Sequence, residues 1–314
     1  MKLNHLRDFL AVARYGSLRA AARQLDVAQP SLTKSIQALE KELQAPLYQR
    51  TSRGAILTPV GEALLVRAEV VMQELRRAKE EVAQLTGGVA GEVAFGISTA
   101  PTVLMLSRVL KDFRRQFPDV TVRIVSGVFP ITIPELKEGR LDFAVGPEPD
   151  EPLGDEFVVE LLWESSRVPV CRKGHPLAET RSLKALVDAD WLVTSTAANP
   201  LAAFRRIFVD RGLEPPRRVT LCEASLATVE LLVNSDALCW LPRQWPEAAL
   251  MQPWLTAIQL DDAELQGPNI CLVRRRNLPL TPAAEQLAIH LRRSSEHFQR
   301  RQMELAEADR RQRG

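Results

Sequence analysis

Apolar residues recur at helical spacing through the first 43 positions, return in a stricter rhythm between 64 and 85, and from 92 onward gather into short runs between further helical stripes. Leu6, Phe9, Leu10 and Ala13 predict a first helix. Gly16-Ser17 then supplies a stop and an N-cap for a second helix over Leu18 to Leu25. A turn at Asp26-Val27 precedes a third helix whose apolar stripe is Leu32, Ile36, Leu39 and Leu43, and whose opposite face presents Gln29, Ser31, Thr33, Lys34 and Gln37. Two short helices joined by a tight turn, the second with polar side chains at its N-terminal end, form the arrangement that enters a major groove. Gln can bond an adenine edge, Ser and Thr reach bases or phosphates, and Lys neutralises phosphate charge. The plain alternative is a small helical bundle with a solvated polar face. Leu47 to Thr58 predicts a hairpin with Gly54 at its tip, from which Arg50 and Arg53 could reach the DNA backbone or a narrow minor groove.

Thr58-Pro59 is an N-cap followed by proline at the first helical position, so a long helix starts there. Leu64, Ala68, Val71, Leu75, Ala78, Val82 and Leu85 alternate steps of four and three, a narrow a/d seam that calls for a second copy of the helix. A helix packed only on its own domain would show a broader stripe. Gly87-Gly88 and Gly91 end it and supply a hinge.

From Glu92 strands and helices alternate: a strand over Val93 to Ile97, a helix over Pro101 to Phe117, a strand over Val120 to Val125, a short helix over Ile133 to Glu138 closed by Gly139, and a buried strand over Leu141 to Val145. This βαβαβ order predicts a mostly parallel sheet with ligand sites at strand C-termini. A second unit begins near Trp163, with strands at Val168 to Cys171, Trp191 to Thr194 and Val219 to Cys222 and a helix from Ser225 to Val233. The strand Ile270 to Arg274 and the helix Pro282 to Ser294 return to the first lobe, and Glu296 to Arg313 extends that helix as a charged tail.

Charge sharpens the division. Residues 1 to 60 carry a net +5, whereas 91 to 295 carry a net −3, a basic head on a mildly acidic body. No apolar run is long enough to span a membrane, and the N-terminus lacks a secretory pattern, so a cytoplasmic chain is expected. Four dispersed cysteines and four histidines show no metal-ligand spacing. With no GxSxG, P-loop, HExxH or GxGxxG motif, neither an enzyme nor a cofactor is expected; Asp142 and Glu148 read as ordinary surface or turn carboxylates.

The run Phe9-Leu-Ala-Val-Ala13, Gly16-Ser17, Ala20-Ala-Ala22, Gln29-Pro-Ser-Leu32, Ile36, Leu39-Glu40, Leu47, Arg50, Thr58 and Gly61 resembles the winged-helix head of LysR-type transcriptional regulators. Phe117-Pro118, Gly139-Arg-Leu-Asp142, Gly174-His-Pro-Leu177 and Leu241-Pro242 resemble the effector domain of that family. Gly16 to Ala22, Ala45-Pro-Leu47 and Arg76 to Glu81 are most similar to its toluenesulfonate-, protocatechuate- and galactose-responsive members. The resemblance implies an all-α winged helix-turn-helix head (1–58), a dimerisation linker helix and hinge (59–88) and an α/β two-lobed effector domain of periplasmic-binding-protein architecture (89–295). The lobes would comprise about 92–162 with 268–295, and 163–267, followed by the tail 296–314. It places Ala28, Gln29, Ser31, Thr33, Lys34, Gln37, Arg50 and Arg53 at promoter DNA and Leu64, Val71, Leu75 and Val82 in the dimer seam. It further implies a tetramer and RNA polymerase as a partner. The family usually has Ser at position 28 and Ala at 31, the reverse of this chain, which detaches its base preference from that of relatives.

Candidate effector contacts follow from strand-to-helix junctions. Ser98-Thr99 ends a strand and opens a helix, so its hydroxyls and free N–H groups make an anion site, with Thr194-Ser195-Thr196 in the corresponding place of the second lobe. Val128 and Phe129 would supply an apolar wall. Each hydroxyl pair also reads as a simple N-cap. The expected effector is a small organic anion, aromatic anions included. A thiol-based redox sensor is the alternative, weakened because Cys171, Cys222 and Cys271 fall in predicted strands.

Overall fold

The computed structural model describes residues 1–51, 54–88, 90–149, 151–194, 199–261 and 265–313, with the side chains of 50, 51 and 301–313 outside the description. The chain divides into two units, Met1–Ala90 with Pro134–Leu141, and Gly91–Ile133 with Asp142–Gly314.

In the first unit, α1 (Leu3–Tyr15) stops at Gly16, whose φ of 67° is a left-handed turn, and α2 (Leu18–Gln24) starts where Ser17 Oγ accepts a bond from the Ala20 N–H. α3 (Gln29–Leu43) buries Leu32, Ile36 and Leu39 against Leu6, Phe9, Val12, Ala21, Ala22 and Leu47. Leu43, expected in that stripe, is 38% exposed instead. The helix ends one residue later with Gln44 left-handed, and Ala45 N–H turns back to Glu40 O, so the last turn leaves the core. Glu40 Oε1 then accepts the N–H groups of Leu47 (2.8 Å) and Tyr48 (3.3 Å), anchoring the hairpin to α3.

The hairpin is β1 (Tyr48–Thr51) and β2 (Gly54–Leu57). Gly54, expected at the tip, is paired with Thr51 as the first residue of β2, and residues 52 and 53 lie outside the described residues. A Cβ on Gly54 would stand 2.4 Å from Gly16 O, and Ala55 N–H donates to that oxygen at 2.9 Å, so the glycine lets the wing root reach the end of α1. α4 (Pro59–Leu85) is capped by Thr58 Oγ1, which accepts from Gly61 N–H at 3.0 Å. Ala68 is buried in the head core with Leu64 packed against it. Arg77, buried further along α4, donates to Glu74 (2.8 Å) and to Leu141 O (3.0 Å).

The second unit holds two sheets. The chain runs β3 (Gly91–Ile97), α5 (Thr99–Gln116), β4 (Val120–Ser126), α6 (Phe129–Lys137), β5 (Phe143–Pro147) and β6 (Phe157–Trp163). It continues through β7 (Ser166–Arg172), a 3-10 turn (Leu183–Leu186), β8 (Asp190–Val193), α7 (Pro200–Val209), β9 (Val219–Leu221), α8 (Ser225–Asn234), β10 (Ala237–Pro242), β11 (Leu255–Ala257) and β12 (Leu265–Gln266). Finally β13 (Ile270–Arg275) and α9 (Pro282–Arg313) return to the first sheet. The first sheet has the order β4-β3-β5-β13-β6, parallel among β4, β3 and β5 and antiparallel around β13. The second has the order β11-β7-β10-β8-β9, with β12 beside β7, parallel among β10, β8 and β9.

Each lobe has its own core. Phe95, Phe113, Phe143 and Trp163 pack with Leu287 and Leu291 of α9 in the first, and in the second Trp191 stacks on Trp240 and meets Phe208 edge-on, with Phe204 tilted beside it. The two crossing segments touch where Gly267 N–H donates to Ser165 O at 2.7 Å. α9 runs unbroken past Ser294, with Phe298 edge-on to Trp163 and Gln299 Nε2 donating to Leu162 O.

The second unit corrects further expectations. α6 begins at Phe129, not Ile133, because Val128 O accepts from Ile131 and Thr132 N–H while Pro130 sits in the first turn, where no N–H is required. β5 begins two residues late because Asp142 leaves the strand path: its carboxylate accepts Ala94 N–H at 2.8 Å and its own N–H donates to Ala94 O at 2.7 Å. Asp142 is therefore a buried structural group, not a surface carboxylate. Among the described residues no helix is long and apolar enough to cross a membrane.

Candidate functional site

On α3, Gln29, Ser31, Lys34 and Gln37 are exposed beside exposed Ala28, opposite the buried stripe, so one helix carries both core and a free polar surface. Thr33 is half-buried and its Oγ1 donates to Gln29 O at 3.0 Å, which leaves its oxygen as an acceptor. The N-terminal turn has no side-chain cap, since position 28 is alanine. Arg50 lies on β1, its side chain outside the description, and Arg53 lies outside the described residues.

In the second unit Ser98 occupies the N-cap position of α5 at the C-terminal end of β3 and is 5% exposed. Its Oγ is buried, makes no cap bond and has no hydrogen-bond partner among the described residues. Ser98 N–H is engaged with Val145 O and Ser98 O accepts from Thr102, while the N–H groups of Thr99 and Ala100 have no acceptor within the helix and Pro101 has no N–H. Thr99 Oγ1 lies 2.6 Å from Ser225 Oγ, joining the first residue of α5 to the first residue of α8 across the lobes. Phe129 is buried, with its ring 3.8 Å from where a Cβ on Gly146 would lie, and the same point is 3.5 Å from Ser98 Oγ. The Ser98 hydroxyl and the Phe129 ring thus flank one glycine, whereas Val128 is half-buried ahead of α6.

Thr194 follows β8, with Oγ1 3.8 Å from Cys239 Sγ. The helix beyond it is capped by Asn199, whose Oδ1 accepts Ala202 N–H at 3.0 Å, so Thr194 is not the cap; Ser195 and Thr196 lie outside the described residues. Sequence reasoning missed Arg167 on β7 and Trp240 on β10. Arg167 Nε and Trp240 Nε1 are buried without a hydrogen-bond partner among the described residues. The signal that could have found Arg167 is a cation at the head of an otherwise apolar strand, Val168-Pro-Val-Cys171.

Cys171, Cys239 and Cys271 are buried, and burial pushes their thiols up to about 11, 12 and 11. Cys222, expected inside a strand, instead follows β9 and is only half-buried, its Sγ accepting from Thr228 Oγ1 at 3.3 Å. Among the described residues no group of three or more His, Cys, Asp or Glu side chains could hold a metal ion.

Comparison with known proteins agrees at both ends of the chain. The LysR substrate binding domain matches residues 86–296, and the bacterial regulatory helix-turn-helix protein, lysR family, matches residues 3–62. The chain is 29% identical to the HTH-type transcriptional regulator GbpR of Rhizobium radiobacter over 86% of this chain and 87% of that one. It is 27% identical to the regulator of the same name from Azospirillum brasilense over 97% and 90%. In structure it is similar to full-length CbnR complexed with its target DNA, with a TM-score of 0.66 and 23% identity over 94% of this chain and 100% of that one, a likeness of fold. The chain therefore belongs to the LysR family of transcriptional regulators, non-enzymatic DNA-binding proteins with a helix-turn-helix head, a helical linker and an α/β effector-binding domain.

Proposed function

We propose that α3 and the wing read promoter DNA, that α4 pairs two chains, with tetramers built from such pairs, and that a small organic anion held between the lobes modulates promoter binding or activation. The single observation that carries the effector half is the Ser98 hydroxyl, buried and without a partner among the described residues at the first turn of α5, beside two backbone N–H groups that have no acceptor within the helix. RNA polymerase is the further partner, and the cytoplasm the location, that this role requires. The pairing rests on Val71, Val82 and Leu85, which remain exposed along α4.

The test starts from a duplex selected out of random sequence by the full-length chain. Gln29→Ala should relax preference at one base position and cost about 1–3 kcal/mol on the selected site, while Lys34→Ala should weaken selected and random duplexes alike and flatten the salt slope. Equal losses on both duplexes for Gln29→Ala would remove base reading from α3.

A further inference from the structure

Arg167 opens β7 at the lobe junction. Its register partners are Pro242 at the end of β10 and Leu265 on β12, while Cys239 of β10 lies level with Leu192 of β8. Counting along β10, Arg167 therefore lies just beyond the C-terminal end of β8, the edge where open α/β sheets bind ligands. Its stem is held there: a Cβ on Gly267, at the crossing segment, would approach Arg167 Cγ to 3.2 Å and Ser165 O to 3.1 Å.

A guanidinium in such a place normally has a partner. Among the described residues Arg167 has no ion pair and no side-chain hydrogen bond, and its Nε is shut away from solvent. Burial alone lowers its proton affinity, with the Cys239 thiol opposing. Trp240 lies on the same sheet face, opposite Pro169 and so diagonal to Arg167, and its indole N–H is also buried and unpartnered. The side chain as a whole is half-buried, so its guanidinium sits at a low-dielectric edge with part of its hydration lost, and a purely structural arginine would gain from the carboxylate or carbonyl partner this one lacks. In the first lobe the unpartnered Ser98 hydroxyl occupies the matching edge, at the C-terminal end of β3.

We propose that Arg167 is the charge partner of the effector, gripping one end of a small monoanion, a carboxylate or a sulfonate, from the second lobe while Ser98 and the first turn of α5 hold it from the first. The assignment rests on the interlobe reading above and names its chemistry. One unpaired positive charge matches one negative charge, and the planar guanidinium fork matches two oxygens of an oxyanion.

The experiment is a thermal-shift titration of the full-length chain with benzoate, butyrate and benzenesulfonate against benzamide, butyramide and benzenesulfonamide at millimolar concentration. At least one acid should raise the melting temperature while its neutral partner does not. In Arg167→Gln that acid should be needed at a concentration on the order of tenfold higher or more, with Arg167→Lys intermediate. The ligand-free Arg167→Gln chain should melt no lower than the parent, because no ion pair is lost, which also shows that the variant folds. If Ser98→Ala loses the acid response and Arg167→Gln keeps it, the charge assignment is overturned and the interlobe site stands. Loss in neither variant overturns both. Neutral ligands acting as strongly as acids, or silence of every acid on the parent, overturns the monoanion.

Discussion

At the start of α3 the capping position is Ala28, with φ −66° and ψ 133°, an extended backbone ready for a hydroxyl that is not there. Ser31 N–H makes only a tight bond to Ala28 O at 3.0 Å, and Pro30 removes the other N–H a cap would take. Ala28→Ser should therefore raise stability of the head by about 0.5–1 kcal/mol, read as a higher melting temperature of residues 1–90 within the full chain. An unchanged or lower melting temperature would show that the tight bond already satisfies the turn. The swap with Ser31 is legible from residue types alone, whereas the buried state of Asp142 is not: a carboxylate that replaces a strand bond to Ala94 has no periodic signature. Thiol chemistry also belongs at this scale. Three cysteines have thiols raised from the ordinary 9.0 by burial, so at pH 8 a disulfide reagent should titrate Cys222 alone in the native chain and all four in guanidinium. Between about pH 9 and 11 the unfolded chain loses thiol protons that the native chain keeps, so these three groups make stability fall as pH rises. Fast reaction of two or more native thiols would reopen redox sensing.

Among the elements, α4 was the most legible, since Thr58-Pro59 fixes its start and the alternating steps of four and three mark its seam. The seam nevertheless has two owners. Leu64 and Ala68 pack into the head core, while Val71, Val82 and Leu85 are 42%, 62% and 72% exposed. Spacing cannot separate the two, because a heptad position looks the same whether its neighbour is α1 or a second copy. Val71→Glu with Val82→Glu should split the dimer in sedimentation and leave the head folded, since neither side chain belongs to its core. Leu64→Glu should unfold the head instead. A double variant that still sediments as the parent does would move the pairing surface off α4. The missed elements have equally physical causes. Ala237 to Leu241 is buried on both faces, so β10 shows no alternation, and the pattern marks only the start of a second unit near Trp163, where β6 ends. α7 does carry a signal, Asn199-Pro200 as cap and first helical position followed by Phe204 and Phe208 one turn apart.

For the whole molecule, the division into a basic reading head and a two-lobed body was legible from charge and from the change of hydrophobic period, but the meeting of the lobes was not. Contacts such as Thr99 Oγ1 to Ser225 Oγ join positions 126 residues apart, and Ala100 and Val103 of α5 pack against the second-lobe core around Leu232. Thr99 was expected to face the effector, yet its hydroxyl is engaged with Ser225. An effector that takes Thr99 must break that bond, so the bond opposes binding by about 1 kcal/mol, the net worth of one neutral hydrogen bond. Ser225→Ala removes it and touches neither the head nor α4. The variant should keep its promoter affinity and oligomeric state, and should respond at an effector concentration about fivefold lower, because a ligand shifts an equilibrium only by its differential free energy for the two states. A response that needs more effector than the parent would show instead that the Thr99–Ser225 bond belongs to the effector-bound arrangement and helps to close it.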